Sequence, residues 1–69
     1  MKKLFVMHCS CEEVINNKRV IHNTMSYRVE ESQEKAEGSV LAYNKKEYPR
    51  AFDFNISTIE IPKGVLNAL

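Results

Sequence analysis

SQEKAEGSVLAYNKKEY, residues Ser32 to Tyr48, is the one segment of this 69-residue chain with the apolar spacing of an amphipathic helix. Its residues Ala36, Val40 and Tyr43 stand at i, i+4 and i+7 and would share one face. The segment begins with serine, a favourable N-cap residue, and is followed by proline, which cannot continue a helix because it lacks a backbone N–H. We therefore predict one helix here, with its apolar face turned toward a sheet.

Three segments around this helix alternate apolar with polar residues, as half-buried strands do. The first runs from Lys3 to Val14, the second from Arg19 to Val29, and the third begins at Phe52. The alternating apolar residues of the three segments are, in order, Phe5, Met7, Cys9 and Cys11; Ile21, Met25, Tyr27 and Val29; and Phe52, Phe54 and Ile56.

The loop between the first two segments sets which side chains face each other across the hairpin. A two-residue loop at Asn16-Asn17 would place Phe5 opposite Arg28 and mix apolar with polar positions. A three-residue loop that includes Lys18 would place Phe5 opposite Val29 and keep the apolar residues of both strands together. Because a slip by one residue moves every side chain to the other face, the apolar pattern predicts the three-residue loop.

This predicted register assigns the cysteines and the histidines to different faces of the sheet. Cys9 and Cys11, two residues apart on one strand, are poorly placed to form a disulfide, and we expect them to be reduced and buried. A C-x-C pair with two histidines has ligand types suited to zinc, but its ligands would come from both sides of the sheet. We therefore expect no metal site. The residues expected on the face opposite the cysteines are His8, Ser10, His22, Thr24, Ser26 and Arg28.

The alternation in the third segment changes phase after Ile56. Ile59 and Ile61 have the other parity. A bulge near Ser57-Thr58 would return both isoleucines to the core, whereas an unbroken strand would place them on the outer face. The sequence leaves both alternatives open.

The order strand, strand, helix, strand predicts a single small α+β domain over residues 1–69. The right-handed crossover rule lets the third strand lie beside the first, which gives a three-stranded antiparallel sheet of order 2-1-3 with one helix on one face. Residues 62–69 are expected to form an apolar C-terminal tail. The predicted core is Phe5, Met7, Cys9, Ile21, Met25, Tyr27, Val29, Ala36, Val40, Tyr43, Phe52, Phe54 and Ile56.

Composition narrows the function classes without selecting one. The net charge is +1 and 28% of the residues are charged, so bulk charge favours neither a nucleic-acid-binding protein nor an acidic mimic of DNA. No apolar run approaches the roughly 20 residues that span a bilayer. We expect a cytosolic protein with no membrane association. Glycine-rich phosphate loops and metalloprotease or C-x-x-C motifs are absent from the sequence, so we expect a non-enzymatic protein that needs no cofactor.

Two surfaces of the predicted fold are candidates for partner binding. A basic end would form where the helix C-terminus meets the hairpin tip, with one tyrosine available to stack on a base. An apolar corner would form on the uncovered sheet face, if the third strand has no bulge; the C-terminal tail, a second copy of the chain or a partner would cover it. The basic end comprises Lys18, Arg19, Lys45, Lys46, Tyr48 and Arg50, and the apolar corner comprises Leu4, Val6, Ile59 and Ile61.

The β-β-α-β arrangement resembles small accessory proteins of phages and mobile elements, including some anti-CRISPR proteins. The resemblance covers almost the whole chain: the strand from Lys3, the entry from Val29 to Ser32 into the helix, Ala36, and the exit from Tyr48-Pro49 into Phe52-Asp53-Phe54. It is architectural and carries no binding motif. It implies an inhibitor in the host cytoplasm that occupies the surface of a host defence or nucleic-acid-handling complex.

Two other functions stay open from the sequence. A nucleic-acid-binding accessory protein would use the basic end to contact phosphates. An oligomeric sponge would sequester a small nucleotide between copies of the chain. The partners to distinguish are therefore a host protein or nucleoprotein complex, a nucleic acid, and a second copy of the chain.

Overall fold

The computed structural model describes the backbone of residues 1–68 and the side chains of residues 1–65. The elements are β1 (Lys3–Ile15), β2 (Lys18–Glu30), α1 (Gln33–Glu47), β3 (Phe52–Ile61) and α2 (Lys63–Ala68). The strands form one antiparallel sheet of order β2-β1-β3, and helix α1 packs against all three strands on one face. The predicted single-domain β-β-α-β fold and its strand order are therefore confirmed.

The hairpin between β1 and β2 closes with a two-residue turn. Asn16 and Asn17 both have positive φ, 53° and 64°. Two consecutive residues in this region form the type I′ turn, whose twist matches that of the flanking strands, and asparagine tolerates the conformation better than most residues. Phe5 consequently lies opposite Arg28, and the prediction of a three-residue loop with Phe5 opposite Val29 is wrong.

With the two-residue turn, the polar side of β2 faces α1 and the apolar side of β2 faces away from it. This orientation is the reverse of the predicted one. Four residues predicted to lie in the core are therefore exposed: Ile21, Met25, Tyr27 and Val29. Four residues predicted to share the open face with His8 lie instead on the side of the cysteines: His22, Thr24, Ser26 and Arg28.

Helix α1 begins and ends as predicted. Ser32 is the N-cap, and its Oγ accepts a hydrogen bond of 3.2 Å from the backbone N–H of Lys35. Ala36 and Val40 are buried, as expected. Tyr43, predicted in the core, is 51% exposed, because the next position at a spacing of four is Asn44, which is buried in its place.

Strand β3 contains a bulge, but at its beginning. Asp53 has a φ of 54°, and the register with β1 shifts by one residue between Ser10 and Glu12. Phe52 therefore lies opposite Glu12 and is partly exposed, so its assignment to the core is wrong. The register is unbroken from there to Ile61, which corresponds to the alternative without a bulge near residues 57–58.

The buried interior is small and lies between β1 and α1. Chains of this size bury only about 60% of the surface that the unfolded chain exposes, so little stability is left over. Part of the predicted C-terminal tail forms α2. The alternative that this tail, Val65 to Leu69, covers the apolar corner depends on the side chains of residues 66–69, which lie outside the described residues. The buried core is Phe5, Met7, Cys9, Cys11, Ala36 and Val40, with Phe54 and Ile56 packed against it.

Candidate functional site

The side of β2 that faces α1 is held by hydrogen bonds. Thr24 Oγ1 donates to Oδ1 of the buried Asn44 at 2.9 Å, and Asn44 Nδ2 donates to the backbone oxygen of Val40, also at 2.9 Å. Farther along the strand, Arg28 Nε donates to Ser39 Oγ at 3.1 Å. Buried polar groups are costly unless they are paired. These bonds let a polar strand side pack under the helix.

His22 fixes the end of the helix to the hairpin. Its ring stacks on Tyr48, with centroids 4.1 Å apart and planes 15° apart, and its Nε2 lies 2.9 Å from Glu13 Oε1. The predicted three-residue loop would have placed His22 opposite Glu12, but in the observed register His22 lies opposite Cys11 and its ring reaches Glu13. The predicted stacking residue Tyr48 is therefore already engaged within the chain.

The open face of the sheet, on the side away from α1, carries most of the exposed apolar side chains of the strands. Across the three strands, Tyr27, Val6 and Ile59 form one row of direct neighbours. Tyr27 is 69% exposed and Ile59 is 65% exposed. On one side, the row of Val29, Leu4 and Ile61 continues the apolar surface across all three strands. On the other side only β2 continues it, because Met25 lies beside the polar His8 and Ser57.

A polar row crosses the open face between its apolar end and the hairpin tip. Ser10, Asn23 and Asn55 form this row, and His8 Nε2 lies 2.9 Å from Asn23 Oδ1. Beyond it, Glu12 and Arg19 form an ion pair of 3.8 Å. The end of the open face near the hairpin tip is therefore mixed, because exposed apolar side chains lie beside this ion pair: Val14, Ile21 and Phe52.

The predicted apolar corner lies where the sequence placed it. Leu4 pairs with Ile61, and Val6 pairs with Ile59. The sequence analysis did not predict that the apolar residues of β2 extend this corner, because the predicted three-residue loop would turn them toward the core. The two adjacent asparagines favour a two-residue turn with positive φ, and this signal could have predicted their outward orientation. We call the combined surface the open-face patch: Leu4, Val6, Met25, Tyr27, Val29, Ile59 and Ile61.

The sheet separates residues of the predicted basic end. The Arg19 guanidinium lies over the Phe52 ring, 5.9 Å from its centroid, on the open face. The Lys45 ammonium lies over the Phe54 ring, 5.8 Å from its centroid, on the side of α1. Lys18, Lys46 and Arg50 are exposed at the same end of the molecule. That these residues bind a partner stays a prediction.

The two cysteines lie in the core on one side of β1. Both are free thiols, and burial raises the pKa of Cys9 and of Cys11 above the usual range of a thiol. Raised pKa values and burial make these thiols poor nucleophiles at neutral pH. Among the described residues, no group of three or more His, Cys, Asp or Glu side chains is arranged to hold a metal ion.

None of the helices that the structure describes has the length and apolar character needed to cross a membrane. Comparison of the chain with protein-family models, with curated proteins and with solved structures gave no match.

Proposed function

We propose that this chain is a protein-binding domain whose docking surface is the open-face patch. The observation that carries the proposal is the orientation of β2: Met25, Tyr27 and Val29 point away from the helix into solvent, while the polar side of the strand packs under it. Contiguous exposed apolar patches of more than a few hundred Å² mark interaction sites in soluble proteins.

The size of the open face suits a protein partner. With 13 residues in β1 and in β2, and with standard strand dimensions, the face is about 43 Å long and about 14 Å wide, or on the order of 600 Å². A specific interface buries about 600–1,000 Å² on each partner. The open face therefore has enough area for one interface at the smaller end of the usual range.

The chemistry of the open face favours a protein over a nucleic acid. Aromatic residues and methionine are enriched at the centres of protein interfaces, and this patch carries Tyr27 and Met25. The charged residues on or beside this face are Glu12 and Arg19, which are paired with each other, and Asp53, which lines a hollow with Ser10 and Asn55. Phosphate binding depends on several available cations. The expected partner is a protein with an apolar surface and polar groups that meet the Ser10, Asn23 and Asn55 row.

The role implied by the architectural resemblance is a special case of this proposal. An inhibitor that occupies the surface of a host defence or nucleic-acid-handling complex needs an exposed docking face and no catalytic residues. The open-face patch would supply that contact, and the basic end would lie at the other end of the sheet, near the hairpin tip. The inhibitory role itself stays a prediction.

The proposal is tested by site-specific photo-crosslinking with two matched tyrosine positions. A benzophenone amino acid replaces Tyr27 on the open face in one variant and Tyr43 on the helix in the other; both side chains are exposed. In a bacterial lysate, we expect the position-27 variant to crosslink one defined protein and the position-43 variant to give none of that product. Ile59→Asp should then abolish the crosslink.

Two results would contradict the proposal. One is an equal crosslink from both positions that Ile59→Asp leaves unchanged. The other is a partner that is lost only when charge is reversed at Lys45, Lys46 and Arg50, since this would move the docking surface to the basic end. Retention of oligonucleotide in place of protein, with affinity falling steeply as salt rises, would support the nucleic-acid alternative.

A further inference from the structure

The two edges of the sheet differ in how they are protected. Strand β3 is interrupted by the bulge at Asp53 and is followed by Pro62, two features that prevent another strand from adding to an edge. Strand β2, at the other edge, has 13 residues in unbroken register and contains neither proline nor glycine. A long, regular edge of this kind is a template for pairing with another strand.

The two-residue turn determines which backbone groups of β2 are directed outward. In such a hairpin the residues flanking the turn, Ile15 and Lys18, form a hydrogen-bonded pair, and the pattern alternates from there. The even-numbered residues of β2 therefore bond to β1. The N–H and C=O groups of the odd-numbered residues, from Arg19 to Val29, point to the free edge of the sheet.

We propose that two copies of this chain pair in antiparallel fashion through β2, about a two-fold axis at Thr24, to form a six-stranded sheet. In this register Lys18 of each copy lies opposite Glu30 of the other, so opposite charges meet at both ends of the new strand pair. Ile21 lies opposite Tyr27, which forms two apolar cross-strand pairs. All 13 residues of each strand take part.

The neighbouring registers are less favourable. A shift by two residues in one direction places Lys18 opposite Arg28 of the other copy, and like charges directly opposite are destabilising. A shift by two residues in the other direction leaves Glu30 opposite Val20. A shift by one residue would direct the wrong backbone groups toward each other, because only the odd-numbered residues face the edge.

The surface beside β2 has room for the second strand. A groove runs along the middle of the edge and is lined by the five consecutive residues 24–28 and by Tyr43. Consecutive residues of a strand point to opposite faces, so a groove that touches all five lies along the strand edge and not on one face.

The two helices would also fit in this dimer. Because α1 contacts all three strands, the helix axes would be about three strand spacings apart, or roughly 14 Å. Packed helices are usually about 8–10 Å apart. The remaining gap lies next to Tyr43, and its exposed ring would occupy it.

Pairing through the edge would leave the open-face patches of both copies uncovered and would join them into one surface. This dimer therefore goes beyond the proposed docking function and does not depend on it. The two proposals can be tested separately, because a variant on the part of the open face outside β2, such as Ile59→Asp on β3, should alter partner capture without altering the dimer.

The dimer is tested by measuring the mass of the full chain in solution by light scattering. Proline at position 23 removes an outward-facing N–H but no hydrogen bond to β1, so Asn23→Pro should give a folded monomer. Asn23→Ala keeps the N–H and also loses the side-chain contact to His8, and it should remain dimeric like the unmodified chain. Far-UV circular dichroism checks that each variant is folded.

Exchanging the charges of Lys18 and Glu30 tests the proposed register of the β2–β2 pair. It also tests the dimer itself if Asn23→Pro does not fold. Lys18→Glu should weaken dimerisation about tenfold, because both ends of the new strand pair then carry like charges. Combining it with Glu30→Lys should restore most of the affinity. The proposal is overturned if the unmodified chain is monomeric up to about 1 mM, if folded Asn23→Pro remains dimeric, or if Ile59→Asp dissociates the dimer.

Discussion

The two sides of strand β2 show opposite relations between burial and polarity. Toward α1, Thr24 and Arg28 are held by Asn44 and Ser39 through hydrogen bonds. Toward solvent, Met25 and Tyr27 are mostly exposed. Polar contacts specify how the helix sits on the sheet, and the apolar side chains are left for another surface. The small core is thus compatible with a domain that completes its burial of apolar surface by binding.

The largest expected difference between the two faces is between two methionines. Met7 is 0% exposed beneath the helix, and Met25 is 69% exposed on the open face. Met7→Ala should lower the free energy of unfolding by about 2–5 kcal/mol, because it removes buried methylene groups and leaves a cavity. Met25→Ala should change it by less than about 0.5 kcal/mol. Urea denaturation at equal protein concentration measures both, and equal losses would contradict the assignment of faces.

The hydrogen bond between Thr24 and Asn44 should have a smaller effect. Thr24→Val leaves the Asn44 carbonyl oxygen without its donor in a buried position, at an expected cost of about 1–3 kcal/mol. Asn44→Ala removes this bond together with the one to Val40. A double-mutant cycle should show a coupling energy of about 1 kcal/mol between the two residues. Additive losses would mean that the polar side of β2 does not pack against the helix as described.

The smallest expected effect concerns Glu37 and pH. Hydrogen bonds from Thr58 and Gln33 hold the pKa of the Glu37 carboxyl below its usual range. Because the lowered pKa belongs to the folded state, this contribution to stability is present above the ordinary glutamate pKa and is lost as pH falls through the lowered value.

Comparison of Thr58→Val with the unmodified chain tests this contribution. The difference in denaturation midpoint should be present at neutral pH and should disappear in acid, below both pKa values of Glu37. Ser57→Ala, a change on the neighbouring open-face residue, is the control and should show no such pH-dependent difference. A difference that is equal at both pH values would assign the Thr58 effect to packing.

Part of this fold follows from local sequence patterns. The N-cap serine, the spacing of Ala36 and Val40, and the proline after Tyr48 predict the observed helix, because each acts within a few residues. The strand order follows from the sequence of elements and the handedness of the crossover. The location of Leu4 and Val6 beside Ile59 and Ile61 followed from the same reasoning.

The hairpin register could not be predicted from the apolar pattern, because that prediction assumes that the apolar residues of both strands face the core. For β2 this assumption is wrong. The turn favoured by Asn16-Asn17 and the hydrogen bonds to Thr24 and Arg28 together stabilise the opposite arrangement. The burial of Asn44 in place of Tyr43, which requires a polar partner strand, became visible only in three dimensions.

The central claim is that the apolar side of β2 faces away from the helix, and NMR of the full chain tests it most directly. In the observed register, Val6 lies opposite Tyr27 and Leu4 lies opposite Val29. Both are pairs without mutual hydrogen bonds, whose α-carbons approach to about 4.5 Å. We predict strong Hα–Hα nuclear Overhauser effects within each pair. Cross-strand effects that join Phe5 to Val29 and Met7 to Tyr27 as opposite residues would contradict it.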